Sequence, residues 1–394
     1  MKVIRLRDGR ERALLRRHPW VFDGAIAKGG GDAGETVRVE AADGRFLACG
    51  AFSPASAIRV RAWSFDEAER IDRAFFSRRV AAAVAAREGL AIASDGVRLV
   101  HGEADGLPGL VVDRYGDTVV AQFGAAGVER WRETIAEALL EATGSTRLYE
   151  RSDAAVRQLE GLPERSGWLR GDGPTALTIR EHGWTLGLDV ATGHKTGTYL
   201  DQRDNRARFE ALVRQFGVPR VLDCFCYTGG FSVAALAGGA AQVTSVDSSG
   251  PALALLQDNL ARNGHHPAAH PVVESDVNRF LRAQLAEGAA PYDAIVLDPP
   301  KFAPTAAAAE RAARAYKDIN RLALQLLAPG GLLLTFSCSG GIAPDLFHKI
   351  VAGAGADAGV DATILERLAA APDHAATLSF PEGEYLKGLV LRRR

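Results

Sequence analysis

Five strand candidates, alternating with helix-length segments, constrain the fold more than any other feature of this chain. They are RVLDCF, QVTSVD, HPVVES, DAIVLD and GLLLTFS, spread between Arg220 and Ser337. A rhythm of strand, helix, strand, helix is what a doubly wound parallel sheet produces. One intervening helix is predicted from Ser249 to Asn263, with Pro251 early, Leu253, Leu256 and Leu260 on one face, and Gly264 as its stop. From about residue 181 the rhythm therefore predicts a doubly wound, mostly parallel α/β sheet. A last run, GLVLRR, is expected to pair antiparallel at the sheet end. Ligands of such sheets sit outside the carboxyl ends of the strands. The residues that close each run are thus the first candidates for chemistry.

The rest of the chain reads differently. Residues 1–70 are predicted to be a small β-domain: VRVEAADGRFLACGAF and AIRVRAW have strand character, with Asp43-Gly44 as a hairpin signal. Residues 71–180 are predicted to be a central α+β domain, and 181–394 the α/β domain. A helix is expected from about Asp66 to Leu90, with Ile71, Phe75, Phe76, Val80 and Val84 at helical spacing. A second is expected over VERWRETIAEALLEAT, ended by Gly144. In DGLPGLVVDR, turn formation explains Asp105, Gly106, Pro108 and Gly109 without chemistry. The alanines at 306–309 are expected to start a helix or cover a loop.

A formal net charge of −1 excludes a uniformly basic nucleic-acid binder. Residues 1–28 nevertheless concentrate Lys2, Arg5, Arg7, Arg10, Arg12, Arg16, Arg17 and Lys28 against Asp8, Glu11 and Asp23. Such a cluster suits phosphate contacts or simply a solvated face. The four cysteines, Cys49, Cys224, Cys226 and Cys338, show no CxxC spacing, so no metal site is expected. Reduced thiols in a cytoplasmic protein are expected, with no signal peptide and no membrane span.

The candidate cofactor site follows the first run. In VLDCFCYTGGFSVAAL, Gly229 and Gly230 permit a tight turn into a helix whose amides face a ligand. GxGxxG is missing, which disfavours a dinucleotide and a nicotinamide oxidoreductase. Asp223 and Asp247 close the first and second runs, and Asp276 follows the third. A carboxylate at the second position can accept from ribose hydroxyls, and Asp276 can take a donor such as an adenine amino group. An acid at the first position repels phosphate and suits a cationic centre. S-Adenosylmethionine has that combination of groups. Alternatively, these acids merely cap turns and helices.

Asp298 closes the fourth run ahead of Pro299-Pro300, and Cys338 follows the fifth in a Ser-Cys-Ser-Gly-Gly loop. Lys301 is a candidate phosphate contact. Phe302 is a candidate base-stacking ring or a local packing residue. A thiol and a carboxyl are the two groups needed to methylate carbon 5 of cytosine by transient addition at carbon 6. Methylation of an exocyclic amine needs no thiol.

At these residues the chain resembles the bacterial large-subunit ribosomal RNA cytosine-5 methyltransferase I family. LLRRHPWVFDGAI resembles its N-terminal PUA domain, an RNA-binding β-barrel, and EADGLPGLVVDRYGD its central domain. HKTGTYLDQRDNR, DCFCYTGGF, DPPKF, SCSGG and PEGEYLKGL resemble its catalytic part, a Rossmann-like class I methyltransferase domain with a mostly parallel seven-stranded sheet. The resemblance implies Cys338 as nucleophile and Asp298 as the residue orienting the base. It implies a cofactor site of Asp223, Tyr227, Thr228, Gly229, Asp247, Ser248 and Asp276, with Tyr199, Asp201, Gln202 and Arg203 near the methionine end or the substrate entrance. Lys301, Phe302, Arg16, Arg17 and Arg203 would meet substrate. It further implies S-adenosylmethionine as cofactor, 23S RNA or a large-subunit assembly intermediate as partner, and a homodimer. A guanine N-methyltransferase of the same fold and a non-catalytic RNA-binding assembly factor remain open alternatives.

Overall fold

A computed structural model describes residues 1–302 and 309–394. Of the alanine run at 306–309, residues 306–308 lie outside the described residues, and Ala309 opens a helix. The chain divides into two compact units: Met1–Ile179 with Leu188–Leu200 and Pro372–Gly383, and Arg180–Gly187 with Asp201–Ala371 and Glu384–Arg394.

The first unit holds two sheets with separate cores, so the two expected N-terminal domains fall within one unit. A six-stranded sheet spans Val3–Leu6 to Ile58–Ser64 and buries Ile4, Val37, Val39 and Val60. The Asp43-Gly44 turn joins Thr36–Glu40 to Phe46–Phe52, with Gly44 at φ 93°. A five-stranded sheet follows, packed by Phe75, Phe76, Val80, Val112 and Phe123. The helix expected from Asp66 starts later, at Arg73–Glu88, because Asp72 caps it by accepting from the Phe75 amide at 3.0 Å. The helix expected over 128–143 is two, Ala126–Arg130 and Arg132–Thr143. The break falls at Trp131, whose ring packs against Phe76 with centroids 4.8 Å apart. Gly144 ends the second at φ 66°. Asp105 has the structural role the turn reading gives it: it accepts from Arg87 at 2.5 and 2.8 Å and from the His101 amide at 2.6 Å.

The two units do not divide at a single point of the chain. Leu188–Leu200 and Pro372–Gly383, both expected in the α/β domain, belong to the first unit. Buried polar contacts hold them there. The Thr196 hydroxyl donates to buried Asp113 and lies 3.0 Å from the Tyr115 hydroxyl. Asp373 accepts from the Arg98 amide at 2.9 Å, and Phe380 meets the Trp20 ring edge-on at 4.8 Å.

The second unit is built on a seven-stranded sheet. Its strands are β1 (Arg220–Cys224), β2 (Gln242–Asp247), β3 (Val272–Glu274), β4 (Tyr292–Leu297), β5 (Leu327–Ser337), β6 (Ala362–Ala369) and β7 (Lys387–Arg393). Their spatial order is β3-β2-β1-β4-β5-β7-β6. Strands β1 to β5 run parallel, and β7 pairs antiparallel with both β5 and β6. The closing run GLVLRR is therefore not at the sheet end. The edge strand is β6, which sequence reading missed because it is half exposed and mixes Glu366 and Arg367 among its apolar residues. Helices α1 (Arg203–Phe216), α2 (Gly230–Ala237), α3 (Gly250–Arg262), α4 (Val277–Ala286), α5 (Ala309–Leu326) and α6 (Pro344–Ala358) connect the strands. Helix α3 matches its prediction: Ser249 accepts from Ala252 and Pro251 opens the first turn. One core of Leu222, Ile295, Leu297, Tyr316, Leu333 and Phe347 fixes the strand ends in register. Among the described residues no helix is long and apolar enough to cross a membrane.

Candidate active site

Strand β1 runs into a tightly coiled loop. Phe225 and Tyr227 adopt left-handed backbone at φ 61° and 49°. Each such non-glycine residue costs on the order of 1–3 kcal/mol and persists only where its surroundings enforce it. Gly229 follows at φ 82°, and a Cβ there would lie 2.5 Å from Cγ of Leu256. Glycine is thus required twice over at this position, by backbone and by space. The loop delivers the chain to the N-terminus of α2. Thr228 is buried, its carbonyl accepting from Asn259 Nδ2 at 2.9 Å.

Asp223 lies beneath this loop and is 1% exposed. The Ser232 hydroxyl donates to it at 2.6 Å, and Ser245 lies 2.8 Å from Ser232. Burial pushes the Asp223 carboxyl up to about 7; Ser232 opposes this, and the neighbouring Asp298 and Asp247 carboxylates add to it. Three carboxylates from the ends of β1, β2 and β4 therefore share one electrostatic neighbourhood. Such a site suits a ligand carrying positive charge and disfavours phosphate.

Asp247 is half-buried. Its Oδ2 accepts from the Tyr227 amide and its Oδ1 from the Ser249 amide, both at 2.9 Å. Each oxygen keeps a further lone pair for a hydroxyl donor. Ser248 beside it is exposed. Asp276 is exposed and caps α4, accepting from Arg279 at 2.9 Å, so the capping alternative applies to it at least in part. Buried Gln202 accepts from Asn205 at 2.6 Å, while its Nε2 has no acceptor among the described residues. One turn further along α1, the Arg206 side chain lies 2.7 Å from where a Cβ on Gly230 would sit. The glycine cradle, the acids and the orphaned amide fit S-adenosylmethionine. Asp247→Ala is expected to weaken binding of that molecule by about 1.5–3 kcal/mol, as for loss of charged hydrogen bonds. Unchanged affinity by calorimetry would remove Asp247 from the site.

A second loop pair stands beside the first. The Cys338 sulfur lies 4.0 Å from the carbonyl oxygen of Pro299, immediately after half-buried Asp298. Of the four cysteines Cys338 alone is not buried. Burial pushes the Cys224 and Cys226 thiols well above their ordinary range. Lys301 is exposed. The Phe302 ring packs on Tyr316 with centroids 4.8 Å apart, and the Tyr316 hydroxyl lies 2.9 Å from the Ser339 hydroxyl. Phe302 thus serves local packing in this state, and Tyr316 ties the two loops together.

Other candidates fall elsewhere. Arg203 is fully buried, with Nε 3.1 Å from Asp204, so its guanidinium is not presented to a ligand the size of RNA. Asp201 accepts from the Tyr385 hydroxyl at 2.6 Å. Tyr199 belongs to the first unit, where its hydroxyl is 3.1 Å from His194 and Lys195 sits over its ring. Arg16 and Arg17 are exposed on the first unit. Sequence reasoning missed Lys387, whose buried ammonium donates at 2.7 Å to the carbonyls of Ser339 and Ile342. Its one signal was a lysine directly before the apolar run GLVL.

A seven-stranded sheet in this order, with a glycine turn and acids at its carboxyl ends, defines an S-adenosylmethionine-dependent methyltransferase. The profile of the S-adenosylmethionine-dependent methyltransferase family matches residues 150–389, and that of a PUA-like domain matches 4–65. The ribosomal RNA large subunit methyltransferase I of Shewanella amazonensis is 51% identical over 394 residues, covering 99% of this chain and 98% of that protein. Its namesake from Aeromonas salmonicida is 49% identical over 396 residues, covering 99% of both. The chain belongs to the ribosomal RNA large subunit methyltransferase I family. The crystal structure of SMU.776 complexed with SAH shares the fold across 100% of both chains, with a TM-score of 0.85 at 22% identity. The expected fold classes and the expected cofactor are borne out.

Proposed function

We propose that this protein methylates carbon 5 of a cytosine in large-subunit ribosomal RNA, through a transient bond to Cys338. The observation that carries this reading is the partly exposed Cys338 thiol, 4.0 Å from the Pro299 carbonyl that adjoins Asp298. Methyl transfer to a guanine nitrogen would leave both the exposed sulfur and its placement without a task. The names of the relatives support an RNA substrate.

The steps follow from the two groups. The Cys338 thiolate adds to carbon 6, forming a C–S bond and moving an electron pair toward carbon 5. Asp298, in its protonated form, donates a hydrogen bond to ring nitrogen 3 and so stabilises the negative charge that builds there. Bound S-adenosylmethionine supplies an electrophilic methyl group on a positively charged sulfur. Once carbon 5 carries that methyl, a base takes its proton, and the returning electron pair expels the Cys338 thiolate and restores the aromatic ring. The Pro299-Pro300 pair fixes φ on the Asp298 side and holds that loop stiff.

A 5-fluorocytosine-containing RNA tests the reading, because fluorine cannot leave as a proton does. A denaturation-stable adduct at Cys338 is expected. Free enzyme after incubation with RNA and cofactor would favour the guanine-directed alternative. On the first unit, replacing Arg16 and Arg17 together is expected to weaken RNA binding. The slope of log affinity against log salt should flatten by about one for each lost phosphate contact. Binding indifferent to both would move the RNA footprint off this face.

A further inference from the structure

Lys387 opens β7 opposite Ser337 in the antiparallel pair with β5, one residue before Cys338. The side chain is 9% exposed. It spans the loop that carries the thiol, donating to the Ser339 and Ile342 carbonyls at 2.7 Å each. Among the described residues no carboxylate lies within ion-pair distance of it. A buried ammonium with only neutral acceptors is costly. A methionine or leucine would pack such a strand position more cheaply. The two carbonyl bonds fix the turn but leave the ammonium without a counter-charge, which calls for a negative charge that forms only at some point in the working cycle.

We infer that Lys387 is a positioning residue for Cys338: it shapes the Ser339–Ile342 turn and supplies the counter-charge that stabilises the sulfur as thiolate. The inference rests on the proposed thiol chemistry but addresses the free enzyme. The charged and titratable groups around the pair can be named. Cys338 and Lys301, from the loops after β5 and β4, act on Lys387 in opposite directions, the first favouring and the second disfavouring its charge. Tyr316 of α5 approaches through Ser339, and Asp298 stands one residue before the Pro299 carbonyl at the sulfur. Burial draws the Lys387 ammonium down to about 8 against the opposing pull of the Cys338 charge. An ammonium and a thiol so coupled titrate as a pair. Between the pair's two transitions the proton rests on nitrogen and leaves sulfur nucleophilic; below the lower one the sulfur is protonated as well.

The test is the pH dependence of Cys338 alkylation by iodoacetamide in the full-length protein without RNA, followed by peptide mass mapping. The three buried cysteines are separated by the mapping. The wild-type rate is expected to reach half its plateau at least about one pH unit below the ordinary thiol value of about 8.5. Lys387→Met is expected to move the midpoint up by about one pH unit, so that alkylation near neutrality slows about tenfold. Lys387→Arg should keep the midpoint close to that of the wild type. A wild-type midpoint at or above the ordinary value overturns the inference and needs no variant at all. So does an unmoved midpoint in a Lys387→Met protein that still binds S-adenosylmethionine. A low midpoint lost on Lys387→Met, with no adduct on 5-fluorocytosine RNA, upholds the role of Lys387 and sinks the cytosine reading instead.

Discussion

Cys338→Ala is expected to reduce methyl transfer to RNA by on the order of 10³-fold or more, the scale on which removal of a covalent nucleophile acts. Affinity for S-adenosylmethionine should survive. The reason is the division of labour between loops. The acids that suit the cofactor lie at the ends of β1 and β2, whereas Cys338 sits on the turn after β5. Alanine at this position removes one sulfur that is partly exposed, and it leaves the Ser339 and Ile342 carbonyls for Lys387 to hold. Transfer of labelled methyl groups to RNA, paired with calorimetry of cofactor binding, separates the two effects. Wild-type transfer by Cys338→Ala would end the covalent scheme. Loss of both transfer and cofactor binding would mean that the sulfur packs the cofactor site rather than attacking substrate.

Asp223→Asn is expected to stabilise the protein, and increasingly so at higher pH. The carboxyl has a folded-state value of about 7 against an ordinary value of 3.8, raised chiefly by burial. Between those values the folded chain holds a proton that the unfolded chain has released. Stability therefore falls as pH rises through this window, and the whole penalty is present above the folded value. Asparagine has no charge to bury and keeps an oxygen for the Ser232 donor. The advantage of the variant should be small near pH 4 and reach a few kcal/mol by about pH 8, since each tenfold change in an acid constant corresponds to roughly 1.4 kcal/mol. Each kcal/mol corresponds to about 2–4 °C in melting temperature for a domain of this size. The difference between the two melting curves, followed across pH, is the measurement. A constant difference would mean that Asp223 is ionised in the folded state.

The parallel sheet was legible because the interior of each of β1, β2, β4 and β5 is buried and the strands alternate with helix-length segments. Strand β6 was not, since half its surface meets water and its charged residues break the pattern. Trp131 hid a helix break inside a helical periodicity, because the break depends on where Phe76 sits in space. A position at or just after the end of a strand run was enough to single out Asp223, Asp247, Asp298 and Cys338 as candidates. Sequence could not tell that Asp223 is sealed from solvent, that Arg203 is buried, or that Tyr316 and Lys387 grip the cysteine loop. Those facts arise from contacts between residues far apart along the chain.

The interleaved course of the chain has a bearing on its synthesis. The amide of Arg98 is satisfied by a carboxylate more than 270 positions downstream, on Asp373, and Trp20 waits longer still for Phe380. A nascent polypeptide that has emerged only as far as Ile179 can close its hydrophobic layers but still lacks these partners. The amino-terminal half therefore acquires its last polar ties only when translation is almost finished, and nonsense codons late in the message damage both halves at once.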